Sequence, residues 1–267
     1  MCKRLSVAFA LVLWPALASA QIGYGTIGVA GSGTTAANIP YPASIAAGDL
    51  LVVCVANKYP TNGPTEPSGA GFAAVSGGQG TGGSGGPGVD SGDVYATIYV
   101  KVATGGEAGN LALSVPSGNV TTGYMARYTK TAASWAYAAT NGSDNVLDVN
   151  WSVTGAADPG VASGDMVIAC SAKNVDSATF SGHTMSQAGV TYAAMNERAD
   201  GGSSFGDDVG AVLADAAVSS GTSSGVPSYT ATVAGGGAAG ATVMLRIREV
   251  SSGGCTGGFL LLGVGKC

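Results

Sequence analysis

Residues 46–58 read AAGDLLVVCVANK, and residues 162–174 read ASGDMVIACSAKN. Both have a Gly-Asp pair, then an unbroken run of β-prone apolar residues with a cysteine at the same place. The likeness extends outward in register. Pro42 corresponds to Pro159, Ile45 to Val161, Cys54 to Cys170 and Ser68-Gly69 to Ser181-Gly182. Further along, GDVYATIYVKVATGG aligns with DDVGAVLADAAVSSG, setting Asp93 against Asp208. LALSVP then aligns with YTATVA, and Met125-Ala126-Arg127 with Met244-Leu245-Arg246. Matches that keep their order and nearly constant spacing mark an internal repeat.

Each copy reads as strands. LLVVCVA and MVIACSA follow Gly-Asp turns and suit strands buried on both faces. VYATIYVKV alternates, which predicts Val94, Ala96, Ile98, Val100 and Val102 facing a core and Tyr95, Thr97, Tyr99 and Lys101 facing water. YMARY and VMLRI close the copies, each with an outward arginine. No stretch sustains a capped 3.6-residue period. AASWAYAAT (132–140) is the nearest candidate, and it reads equally well as a strand. The glycine tract GGQGTGGSGGPG (77–88) reads as a long loop inside the first copy.

The expected fold is therefore all-β. It is a two-sheet β-sandwich, jelly-roll-like, in which two halves of four or five strands share one core. The halves span about 21–130 and 131–250. Residues 1–20 read as a cleaved signal peptide: Lys3 and Arg4, then a short apolar run broken by Pro15, then Ala-Ser-Ala. The run is shorter than the roughly 20 residues a membrane-spanning helix needs, so no transmembrane segment is expected in the mature chain. Export makes disulfides permissible for Cys54, Cys170, Cys255 and Cys267. Cys255 and Cys267 share the 251–267 tail and are the expected pair there. Cys54 and Cys170 either pair or stay as buried thiols.

Only 10% of residues are charged and the net charge is −5, without a basic cluster, so no nucleic-acid partner is expected. Catalytic motifs are poor. GGSGG around Ser84 lacks the strand, helix and downstream histidine of a nucleophile elbow. Gly78, Gly80 and Gly83 have dinucleotide-loop spacing without its strand and helix. His183, the sole histidine, reads as an exposed turn residue, with Asp176 and Asp200 as possible partners. No enzyme activity and no resident cofactor are expected. Glu197, Asp200, Asp207 and Asp208 bracket a glycine-rich loop whose carboxylates suit calcium chemistry, or else a solvated hairpin. Tyr95, Tyr99, Trp135, Tyr137 and Trp151 are candidate exposed aromatics for stacking on a glycan. The tail's Phe259–Leu262 run suits self-association.

Gly48-Asp49-Leu50-Leu51-Val52-Val53, Pro67-Ser68-Gly69, YVKVATGGEAG (99–109) and ARY (126–128) together resemble a loosely defined group of β-sandwich proteins. These occur in bacteriophage tails and virions and among bacterial exported proteins. Ala70 stands where that group's turn carries Trp. The resemblance implies a structural or adhesive role, self-associating or bound to other surface or virion proteins, with the protein secreted, periplasmic, at the cell surface or in a virion. A carbohydrate-binding module, with or without calcium, is the alternative.

Overall fold

A computed structural model describes residues 22–58, 64–67, 69–83, 93–115, 120–131, 134–205 and 208–250. The expected signal peptide, Ser84, Asp207 and the Cys255–Cys267 pair lie outside them. Every regular element among the described residues is a β-strand. The first half holds β1 (Gly23–Ile27), β2 (Gly31–Gly33), β3 (Ala36–Pro40), β4 (Leu50–Lys58), β5 (Ala73–Gly82), β6 (Val94–Val102), β7 (Asn110–Ser114) and β8 (Val120–Thr129). The second holds β9 (Ser134–Asp148), β10 (Asn150–Thr154), β11 (Met166–Lys173), β12 (Thr179–Ser186), β13 (Val190–Tyr192), β14 (Asn196–Ser203), β15 (Val209–Gly221), β16 (Ser228–Ala234) and β17 (Ala238–Val250).

The two quoted stretches form β4 and β11, each central in its sheet. The order is β1-β8-β4-β6-β5 in one sheet and β13-β15-β11-β17-β9 in the other, with β2 on β8 and β14 on β15. All residues of β4 and β11 are buried, as unbroken apolar runs require. All strand pairings are antiparallel and no sheet closes on itself. The copies pair alike: β4 lies between β6 and β8, and β11 between β15 and β17. Likewise β5 flanks β6 as β14 flanks β15, and β3 pairs β7 as β10 pairs β16.

The sandwich has four layers rather than the two expected. The two large sheets face each other across a core containing Val52, Cys54, Ile98, Ile168, Cys170, Leu213 and Leu245. The pair β3-β7 covers the far side of the first large sheet, enclosing Ile39, Leu51, Val53, Leu111 and Met125. The sheet β10-β16-β12 covers the far side of the second, enclosing Trp151, Val167, Phe180, Tyr229 and Met244. Each such side chain contributes about 1.5–3 kcal/mol on burial. Each half thus has an outer core of its own, and the central core is shared. Cys54 and Cys170 form a disulfide between the two central strands (S–S 2.06 Å, Cα–Cα 5.5 Å), which settles the choice between a bridge and two thiols.

Of the stretch 132–140, which allowed either a helix or a strand, residues 134–140 lie in the edge strand β9. Two local expectations are corrected. Gly77–Gly82 belong to β5 rather than a loop. A Cβ on Gly82 would fall 2.0 Å from the Gly240 carbonyl oxygen, and one on Gly77 2.5 Å from that of Ala139. The glycines are there so that β5 can lie against the backbones of β9 and β17. The closing-strand arginines do not point out to water: Arg127 and Arg246 are half-buried. Arg127 donates to Asp49 (3.1 Å) and to the Ser44 carbonyl, and Arg246 donates to the Pro159 carbonyl (3.2 Å).

Candidate functional site

One group of polar side chains lies between the second large sheet and its cover β10-β16-β12. β12 places His183 inward at a bulge between Ser181 and Thr184. Its side chain is only 5% exposed, so the expected exposed turn residue is instead an inward strand residue. The imidazole bridges two partners. Nδ1 lies 2.7 Å from Tyr229 Oη, and Nε2 lies 2.8 Å from Glu197 Oε2. Tyr229 is fully buried, and Ser171 is close enough to act on its phenol. Ser171 Oγ lies 2.7 Å from Thr242 Oγ1, which accepts a hydrogen bond from Trp151 Nε1 at 3.0 Å. Burial pushes the Tyr229 phenol far above its usual range, and the Glu197 and Asp200 charges push the same way against the effect of Ser171.

The result is a polar seam, Glu197-His183-Tyr229 and then Ser171-Thr242-Trp151, that runs from a surface carboxylate to a buried indole. It satisfies donors and acceptors that would otherwise be costly inside an apolar layer. Its inner end is closed by Trp151, which packs on Phe180 with ring centroids 4.8 Å apart. None of its hydroxyls is both exposed and held by the histidine, so the arrangement fixes strands in place rather than presenting a nucleophile.

Beside it lies a buried ion pair. Lys173 of β11 and Asp200 of β14 are joined through Nζ and Oδ1, with side chains 0% and 7% exposed. Lys173 also donates to the Ala178 carbonyl, and its ammonium sits 5.1 Å from the Phe180 ring centroid. The second oxygen of Asp200 accepts from the Phe180 N–H. An open pocket of about 390 Å³ starts at His183 and is walled by Met185, Gln187, Val190, Tyr192 and Met195. Gln187 is fixed there by Asp158 (2.8 Å), the Gly225 carbonyl (2.6 Å) and the Tyr192 hydroxyl (2.7 Å).

The expected calcium ligands are not brought together. Glu197 is committed to His183 and Asp200 to Lys173, Asp208 begins the approach to β15, and Asp207 is outside the described residues. Among the described residues no group of three His, Cys, Asp or Glu side chains is placed to hold a metal ion. The expected aromatic platform is also corrected. Tyr95 and Tyr99 are both buried rather than facing water, and Tyr99 packs in the outer core beneath β3-β7. The Tyr99 hydroxyl donates to the Pro64 carbonyl. Burial drives that phenol's pKa up to about 12. Trp151 is fully buried in the opposite cover. Trp135 is half-buried, its Nε1 donating to the Gly48 carbonyl at 2.8 Å. Of the five, Tyr137 keeps substantial exposure, at 39%.

A second cluster stitches the halves together. Arg198 of β14 donates twice to Asp215 of β15 (2.8 and 2.9 Å), and Tyr128 of β8 donates to the same carboxylate at 3.0 Å. The Arg198 guanidinium lies 3.8 Å from the centroid of the Tyr24 ring in β1. Burial, then the Asp215 charge, raise the Tyr128 pKa well above the usual phenol value.

No protein-family model, curated protein or solved structure matches this chain. Its candidate sites therefore stand on their own geometry. No helix among the described residues is long and apolar enough to cross a membrane.

Proposed function

We propose that the chain is an exported, non-enzymatic structural or adhesive surface protein that associates with itself, of the virion or tail type that its motifs resemble. The observation that carries this reading is the tip joining β9 to β10. Val146, Leu147 and Val149 are 60%, 44% and 50% exposed there. The tip is held rigid. Asp144 accepts from the Val146 N–H (3.0 Å) and the Ser152 N–H (2.8 Å), and Asp148 accepts from the Asn150 N–H (2.6 Å). Apolar side chains presented on a fixed turn lose little conformational freedom on docking, which favours a contact surface. The Cys54–Cys170 bridge suits an oxidising compartment, in keeping with the leader-like residues 1–20.

Sedimentation velocity over a concentration series tests this. The parent chain is expected to associate as concentration rises, and the triple variant Val146→Ser, Leu147→Ser, Val149→Ser to remain monomeric with an unchanged melt. A parent that stays monomeric throughout, indistinguishable from the variant, overturns the reading.

A further inference from the structure

The contact between Lys173 and Asp200 is built for more than an ion pair. The two residues are not on neighbouring strands: β15 runs between β11 and β14. Lys173 is paired across from Gly210, and its side chain passes over that glycine to reach β14. A Cβ at Gly210 would come within 2.1 Å of Lys173 Cε and 2.7 Å of its Cγ. In the first half the residues aligned with Lys173 and Gly210 are Asn57 and Tyr95, which face each other across β4 and β6. The second half has a lysine that crosses a strand and a glycine that lets it through.

At the end of that path the amine and the carboxyl are both buried and both fixed. The Ala178 carbonyl and the Phe180 ring hold the amine in place. The Phe180 N–H holds Asp200 Oδ2, leaving Oδ1 on the amine. A dry, pre-positioned pair of this kind has the proximity that makes an intramolecular condensation efficient. The Phe180 N–H is a donor aimed at an oxygen that gains negative charge when the carboxyl carbon is attacked. An ionic pair kept in this environment also bears the desolvation of two charges, which a neutral amide does not.

We propose that Lys173 and Asp200 are a self-modification site that closes to an isopeptide bond. One proton passes from the Lys173 ammonium to the Asp200 carboxylate, giving amine and acid. The Nζ lone pair attacks Cγ, the C–N bond forms, and the Cγ–Oδ1 bond breaks. Oδ1 leaves as water with two of the three ammonium protons, and the third stays on the amide nitrogen. No oxidant or co-reactant enters. The bond ties β11 to β14 across β15. It is independent of the self-association reading above, since it needs no second copy.

The test is the intact mass of the purified full chain after reduction of its disulfide, followed by sequencing of its proteolytic peptides. The expected parent mass is one water below the sequence mass, with a branched peptide joining the segments that carry Lys173 and Asp200. Lys173→Met is expected to restore the full mass. Asp200→Asn is expected to give the same branched product by loss of ammonia. A parent at full sequence mass overturns the proposal. So does a loss of water with only linear peptides, because a succinimide at Asp200-Gly201 also loses water.

Discussion

Asp49 and Asp165 build the same turn in the two halves. Each accepts a hydrogen bond from the N–H three residues before it, Ala46 at 2.9 Å and Ala162 at 2.7 Å. Each follows a glycine with positive φ, 91° at Gly48 and 89° at Gly164. Each carboxylate is met by an arginine that also caps an equivalent carbonyl: Arg127 on Ser44 in the first half, Arg248 on Gly160 in the second. Ser44 even repeats, at φ 60°, the left-handed backbone that Gly160 adopts at 72°. Yet the arginines are not aligned. Arg127 corresponds in register to Arg246, and the second half takes its turn contact from Arg248, two residues further along the same face. Charge and reach are what the turn requires, and either position on that face supplies them.

The outer layers diverge much more. The residues of the first half that correspond to Trp151, Ser171, Tyr229 and Thr242 are Ala37, Val55, Leu111 and Gly123. One cover is held on by apolar packing alone at these positions, the other also by hydrogen bonds, with an ion pair beside them. A fold can therefore keep its shared core and its turns while each copy chooses its own outer chemistry.

Breaking the seam between the copies carries the largest expected effect. Asp215→Ala removes a buried carboxylate and leaves Arg198 and Tyr128 without it, which is expected to cost about 3–5 kcal/mol in chemical denaturation. Asp215 stands where the first half has Val100, so the reciprocal change Val100→Ala removes only packing and should cost about 1–3 kcal/mol. Equal losses would mean that the seam draws nothing from its charge.

The turn comparison sharpens next. Asp165 accepts two hydrogen bonds from Arg248, at 2.6 and 2.7 Å, with a side chain 2% exposed, whereas Asp49 accepts one from Arg127 at 3.1 Å. Asp165→Ala is expected to cost about 2–3 kcal/mol and Asp49→Ala about 1–2 kcal/mol, read as shifts in denaturation midpoint. The reverse order would show that the second turn does not depend on Arg248.

The smallest effect is confined to acid. Burial opposes ionisation of Glu107, but the backbone and hydroxyl of Thr104 and the ammonium of Lys101 outweigh it and hold its pKa at about 2. The second half has Thr222 at the aligned position. A folded pKa below the usual 4.5 gives stability that is complete above that value and fades as pH falls toward 2. The melting-temperature gap between the parent and Glu107→Gln should therefore be constant near neutrality and close between pH 4.5 and 2. A gap that persists at the acid end would assign the effect to geometry rather than ionisation.

The central strands were legible because a repeat with constant spacing puts equivalent residues at equivalent places. That spacing allowed a Cys54–Cys170 bridge but did not choose it over two buried thiols; the structure does. The outer sheets were not legible. AANIP and NLALS are too short and too far apart in the chain to announce that they pair, and without that cover Tyr99 reads as exposed. The glycine tract misled for a related reason: composition cannot separate a glycine that loosens a loop from one that admits a neighbouring backbone. The Lys173 crossing did leave a trace, since Gly210 interrupts a strand exactly where its aligned partner is Tyr95. A glycine inside a strand marks close approach, but only the pairing of β11, β15 and β14 shows what approaches.

The bridge between β4 and β11 also sets how the protein answers a pull. Tension applied at the two ends can draw out only the chain outside the covalent loop. The 116-residue separation of the two cysteines, roughly 400 Å of contour when extended, stays locked away from the load until the sulfurs part.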